Sequence, residues 1–309
     1  MKVLVLGAAA GGGYPQWNCN SALCRRVRAG DPAARPRTQS SIAVSADGAR
    51  WAVFNASPDL RQQFNDNPAL HPKEGLRHTP LGAVVLTNAD VDHVAGLLTL
   101  RERQAFALYA SGRVQEALAA NPIFNVLHPD YVARRALELG QATAIRDGEG
   151  ADLGLTVTPF AVPGKVALYL EDQSAGPDFG TREGDTIGLK IEAAGQGRGF
   201  YYIPGCAAVD GPLAERLQGA PLVLFDGTLY HDQEMVEAGL GSKTGKRMGH
   251  ISISGPEGSL AAFDGLGVGR RIYIHINNSN PVLLEDSAER RSVEAAGWEV
   301  AYDGQEIEL

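Results

Sequence analysis

The feature that most constrains this chain is the run Ala83-Val84-Val85-Leu86 and the segment behind it, Thr87-Asn88-Ala89-Asp90-Val91-Asp92-His93. The apolar run predicts a buried strand, and Val94-Ala95-Gly96-Leu97-Leu98 starts a helical pattern at once. The polar residues therefore occupy a strand-to-helix junction, where layered α/β folds open a crevice for ligands. A turn capping a helix would use one such residue. It does not account for Asn88, Asp90, Asp92 and His93 together. In an extended loop Asn88, Asp90 and Asp92 share one side while His93 turns with the helix. Carboxylates combined with a histidine suit a first-row divalent metal such as iron, manganese or zinc. Calcium and magnesium prefer oxygen ligands alone.

The rest of the chain supplies many strands. Apolar runs bounded by Gly, Asp, Asn or Pro cover Lys2–Leu6, Ser41–Val44, Trp51–Phe54, Ala83–Leu86, Ala105–Tyr109, Leu155–Phe160, Thr186–Ala193, Phe200–Ile203, Leu222–Phe225 and Arg271–Ile276. Ser45-Ala46-Asp47-Gly48 and Gly195-Gln196-Gly197-Arg198-Gly199 predict hairpin turns. Apolar residues at three and four spacing predict helices at Val94–Gln104, Val114–Ala120, Asp130–Gly140, Pro212–Leu217 and Pro256–Leu266. A chain of 309 residues with 44% apolar and 21% charged residues can bury a large core. With no repeat or Pro/Ser-rich linker, one domain over residues 1–309 is expected, its two halves meeting near Asp147-Gly148-Glu149-Gly150.

Charge and leader patterns narrow the function. A net charge of −8 without a long basic block argues against nucleic acid as a partner. The one basic concentration, Arg25, Arg26, Arg28, Arg35 and Arg37, is either a solvated loop or a clamp for an acidic substrate. Met1 to Gly7 is too short an apolar run for a signal-peptide core, and no segment is long enough to span a bilayer. Three scattered cysteines, Cys19, Cys24 and Cys206, do not form a secreted disulfide framework. A cytoplasmic protein is expected.

A second histidine ends another apolar run, Arg271-Ile272-Tyr273-Ile274-His275, ahead of Ile276-Asn277-Asn278. Phe225-Asp226-Gly227-Thr228 and Ile203-Pro204-Gly205-Cys206 are further polar strand ends. His250, in Met248-Gly249-His250, precedes a predicted helix, a place suited to a general base or proton relay as well as to a plain loop histidine.

Asn88-Ala89-Asp90-Val91-Asp92-His93 occupies the frame His-x-His-x-Asp-His, and the chain resembles the metallo-β-lactamase superfamily over nearly its whole length. Gly11 to Asn20, Thr87 to His93 and Met248 to His250 resemble most closely the branch that acts in pyrroloquinoline quinone (PQQ) biosynthesis. The resemblance implies an αββα sandwich, two mixed sheets flanked by helices. It also exposes departures. Asn88 and Asp90 stand where the hydrolases have two zinc-binding histidines, a third is replaced within Phe160–Gly164, and the metal-bridging acid corresponds to Cys206. One metal position is thus dismantled, and Asp92, His93 and His275 supply the other, with Asp90 as a further ligand or catalytic group. A two-histidine, one-carboxylate set leaves positions open for dioxygen and substrate at non-haem Fe(II).

The resemblance therefore implies Fe(II)- and O2-dependent hydroxylation of the tyrosine ring in a Glu-Tyr-derived, peptide-derived precursor. His250 and Asp226 are expected to serve catalysis, and Asn88, Arg25 and Arg26 to hold substrate. PQQ or an analogue is expected to fit the same crevice. The alternative function is a non-catalytic carrier assisting transport of PQQ or its precursor to the periplasm. The branch commonly has Cys-Asn-Cys-x-x-Cys. Here Cys19-Asn20-Ser21-Ala22-Leu23-Cys24 lacks the central thiol, so a structural zinc at Cys19 and Cys24 needs other ligands to close.

Overall fold

Alternation along the strands dictates the layering. The computed structural model describes residues 1–309 except Gln196 and Arg198. The hairpin turn expected at 195–199 therefore falls partly outside the described residues. Fourteen strands are present among those described: β1 Lys2–Gly7, β2 Ser41–Ser45, β3 Trp51–Phe54, β4 Leu81–Val85, β5 Phe106–Ser111, β6 Val132–Leu137, β7 Thr143–Arg146, β8 Asp152–Ala161, β9 Ile187–Ala193, β10 Gly199–Ile203, β11 Leu222–Asp226, β12 Arg270–Ile274, β13 Trp298–Val300 and β14 Glu306–Glu308.

They form two seven-stranded sheets of order β14-β1-β2-β3-β4-β5-β6 and β13-β12-β11-β10-β9-β8-β7. In the first, β14-β1-β2-β3 pair antiparallel and β3-β4-β5-β6 parallel. The second repeats the scheme, antiparallel over β7-β8-β9-β10 and parallel over β10-β11-β12-β13. Successive side chains point to opposite faces of a strand, so Val3 and Val5 enter the core between the sheets while Leu4 and Leu6 enter the outer layer. Phe54, Val85 and Tyr109 meet Leu189, Tyr202 and Ile274 across the central layer. Leu97, Val114 and Leu118 cover the outside of the first sheet, and Leu213, Phe263 and Val293 that of the second. The result is the expected αββα sandwich. Among the described residues no helix is long and apolar enough to cross a membrane.

Several sequence expectations need correction. Asp130–Gly140 contains β6, not a helix. The exposed edge of β5 takes a parallel partner there, overriding the helix propensity of its Ala, Arg, Leu and Glu residues. The helix expected over Val94–Gln104 is a short α-turn, Val91–Val94, running into a 3-10 segment, Ala95–Leu100. The helix expected over Pro256–Leu266 is confined to Ser259–Ala262. The chain passes between sheets after Leu137 and before Thr143, while Asp147–Gly150 turns the β7–β8 hairpin around the Asp147 carboxylate.

Candidate metal centre

The carboxyl ends of β4, β11 and β12 converge on one crevice. Beyond β4, Asp90 caps the α-turn that carries Asp92 and His93. The turn is fixed to the neighbouring chain, since Ala56 N donates to His93 O and Gly96 N donates to Ala56 O. His275 follows β12 with φ at +60°, a left-handed conformation that costs a residue with a Cβ about 1–3 kcal/mol. It is held there on both sides, with Gly227 N donating to Ile274 O and Ile276 N to Ala8 O.

His275 Nε2 lies 3.1 Å from Asp92 Oδ2, and His93 Nε2 lies 4.0 Å from the same oxygen. The two imidazoles meet edge to face at 5.3 Å. His93 Nδ1 is 2.7 Å from Asn88 Oδ1, an acceptor, so the ring proton sits on Nδ1 and Nε2 keeps its lone pair. That Nε2 is buried without any hydrogen-bond partner. His275 is set likewise. Thr228 Oγ1 donates to Asp226 Oδ1 at 2.6 Å and can then accept from His275 Nδ1 at 2.8 Å, leaving His275 Nε2 facing Asp92. The orphaned His93 Nε2, the His275 Nε2 that meets Asp92, and the Asp92 oxygen form a candidate donor set for a divalent transition metal, each histidine oriented by an outer partner.

Burial would lower the His275 imidazole, but its contact with Asp92 outweighs this and raises it. Burial would raise the Asp92 carboxyl, but His93 and His275 outweigh it and hold it well below the usual range. Burial pushes His93 down to about 4, keeping it neutral and able to ligate. The Asp90 carboxyl is raised by burial and by the charge of Asp92.

Asp226, His250 and His275 form a second cluster. His250 Nδ1 donates to Asp226 Oδ2 at 2.6 Å, and its ring stacks on His275 at 5.2 Å. Burial opposes ionisation of Asp226, but His250 prevails and lowers it. Cys206 contributes only its backbone N–H, to Asp226 Oδ2. Its buried thiol donates to Ala208 O and is pushed up by burial.

The other expected residues fall as follows. The Asn88 carboxamide is engaged internally, by His93 and by Asp90 N and Oδ2. Asp90 lies beside the three-ligand group but outside it. Arg26 pairs with Asp31 and Asp286, Arg25 donates to Asn20 O, and neither lines the cavity over Asp92. Cys19 and Cys24 are buried, and among the described residues they join no group of three metal-binding side chains. The role of Thr228 was not assigned from sequence, although Asp226-Gly227-Thr228 stood out as a polar strand end. The segment from Lys165 to Glu171, which crosses the crevice, carried no signal.

Residues 50–276 match the model of the beta-lactamase superfamily domain, and the chain belongs to that superfamily. A diphosphatase of the PhnP family shares the fold at TM-score 0.70 and 19% identity, over 100% of this chain and 96% of that one. Nearer relatives narrow the assignment. The "Coenzyme PQQ synthesis protein B" of Gluconacetobacter diazotrophicus is 57% identical over 99% of both chains. The crystal structure of Zn(2+)-bound PqqB from Methylobacterium extorquens superposes at TM-score 0.93 with 52% identity, covering both chains fully. The chain belongs to the coenzyme PQQ synthesis protein B family.

Proposed function

We propose that this protein acts in PQQ biosynthesis by hydroxylating the tyrosine ring of a Glu-Tyr-derived precursor with Fe(II), dioxygen and an external two-electron reductant, one oxygen atom entering the ring and the other leaving as water. The observation that carries it is the ligand set itself: Asp92, His93 and His275 converge, while Asn88, Asp90 and Cys206 stand where a second metal would need histidines and an acid. Two imidazoles and one carboxylate leave coordination positions free, the arrangement that suits non-haem iron better than hydrolytic zinc pairs. The names of the relatives support the pathway, and the Zn(2+) in the M. extorquens protein supports a divalent metal.

Asp92, His93 and His275 would hold the metal. When bound, Fe(II) supplies activation of dioxygen. The protein supplies orientation and proton movement. Thr228 and Asn88 fix the two ligand histidines. His250, with Nδ1 committed to Asp226, keeps Nε2 free to take the phenol proton as the ring is oxidised. Its stacking on His275 places it beside the metal ligands.

The test is oxygen consumption by protein loaded anaerobically with Fe(II) and supplied with ascorbate as reductant, on addition of Glu-Tyr dipeptide. Uptake of oxygen that depends on the dipeptide supports the hydroxylase. Tight binding of PQQ with no oxygen uptake would favour a carrier instead.

A further inference from the structure

The connection Pro163–Asp185 between β8 and β9 is a strap fastened at many points. Ala207 N donates to Pro163 O, Thr186 Oγ1 to Lys165 O and Ser111 Oγ to Gly184 O. Glu171, its side chain 2% exposed, accepts two hydrogen bonds from the Arg247 guanidinium and one from Lys165 Nζ at 2.8 Å. Arg247 also covers the Phe179 ring at 3.7 Å. The turn Leu168-Tyr169-Leu170 is exposed, at 55%, 44% and 37%, as is the more polar run 172–178 that follows Glu171. Three consecutive exposed apolar residues on a fastened strap need a reason.

Their position gives one. Leu168 and Tyr169 line a cavity of about 330 Å³ with Gly11, Gly12, Val91 and Asp92. Tyr169 donates its hydroxyl to Ala89 O, so the ring is aimed at the metal-binding turn. Val91, 60% exposed, lies across from it on that turn. At Gly11 a Cβ would stand 3.4 Å from Asp92 Oδ2, in ordinary contact, so the glycine keeps that side of the carboxylate open. The volume is at the low end for small-molecule sites, enough for one ring rather than a whole ligand. Asp90 and Asp92 on its polar side would repel a carboxylate.

We infer that the strap sorts the substrate. Leu168, Tyr169 and Val91 form a slot for an uncharged aromatic ring over Asp92. This rests on the proposed aromatic substrate, but its test does not use turnover. Zn(II)-loaded protein is titrated calorimetrically with Glu-Tyr and with Glu-Ala. Burying a ring predicts about tenfold or more tighter binding of Glu-Tyr. The Leu168→Ser/Tyr169→Ala double variant is expected to lose that preference while binding the same amount of metal, and Tyr169→Phe to retain it. Equal affinity for the two dipeptides in the wild type, or an unchanged preference in the double variant, overturns the slot. Oxygen uptake without a ring preference would leave the hydroxylase standing and the slot refuted. A ring preference without oxygen uptake would do the reverse.

Discussion

His275 Nε2 sits 3.1 Å from Asp92 Oδ2, joining the end of a strand in one sheet to the turn beyond the other that carries Asp92 and His93. The two residues are far apart in sequence, and the site exists only when the sheets are packed. His275→Ala removes one of the three proposed ligands. It is expected to abolish stoichiometric metal uptake, measured by elemental analysis after dialysis. Undiminished metal content would take His275 out of the ligand set.

The partners behind the ligands should tune affinity, not stoichiometry. Thr228→Val removes the oxygen that fixes His275 Nδ1, and Asn88→Ala the one that fixes His93 Nδ1. Each is expected to weaken metal binding about 10–100-fold in chelator competition, with full occupancy still reached at saturation. Wild-type affinity in both variants would mean that packing alone orients the histidines.

At Gly96 a Cβ would fall 2.1 Å from Ser57 O and 2.8 Å from Ala56 O, both backbone atoms. Gly96→Ala is therefore expected to cost about 1–3 kcal/mol. The segment that must yield includes His93, whose carbonyl is tied to Ala56. A lower melting temperature together with weaker metal uptake is the expected pair of effects. Unchanged values for both would contradict this packing.

The strap gives a pH prediction. Arg247, with Lys165, holds the Glu171 carboxyl down to about 2 despite its burial. An acid whose pKa is lower when folded adds stability at neutral pH, and the contribution fades as pH falls from about 4.5 toward about 2. Glu171→Gln is expected to lower stability at neutral pH and to flatten the acid dependence of the denaturant midpoint. Parallel curves for variant and wild type would show that the trio adds no net linkage.

Much of this was legible in the chain because period-two burial and strand-end polarity are local signals. Ala83–His93 and Arg271–His275 announced polar strand ends, and the packing brings Asp92, His93 and His275 together. What stayed hidden depends on partners distant in sequence. The β6 residues have a helical composition and become a strand only beside β5. The short β13 and β14 gain their identity from β12 and β1. Asn88 looked like a substrate contact because nothing in the sequence shows that its carboxamide meets His93 within the turn. Leu168 and Tyr169 read as ordinary apolar residues, and only their exposure beside Asp92 marks them.

The most direct test of the central claim is product mass. Apoprotein is loaded anaerobically with Fe(II) or with Zn(II), given the Glu-Tyr dipeptide and excess ascorbate as reductant, and exposed to air. The account predicts a gain of oxygen in the dipeptide with Fe(II) and none with Zn(II). Oxygen incorporation with zinc alone, or none with iron, would contradict it.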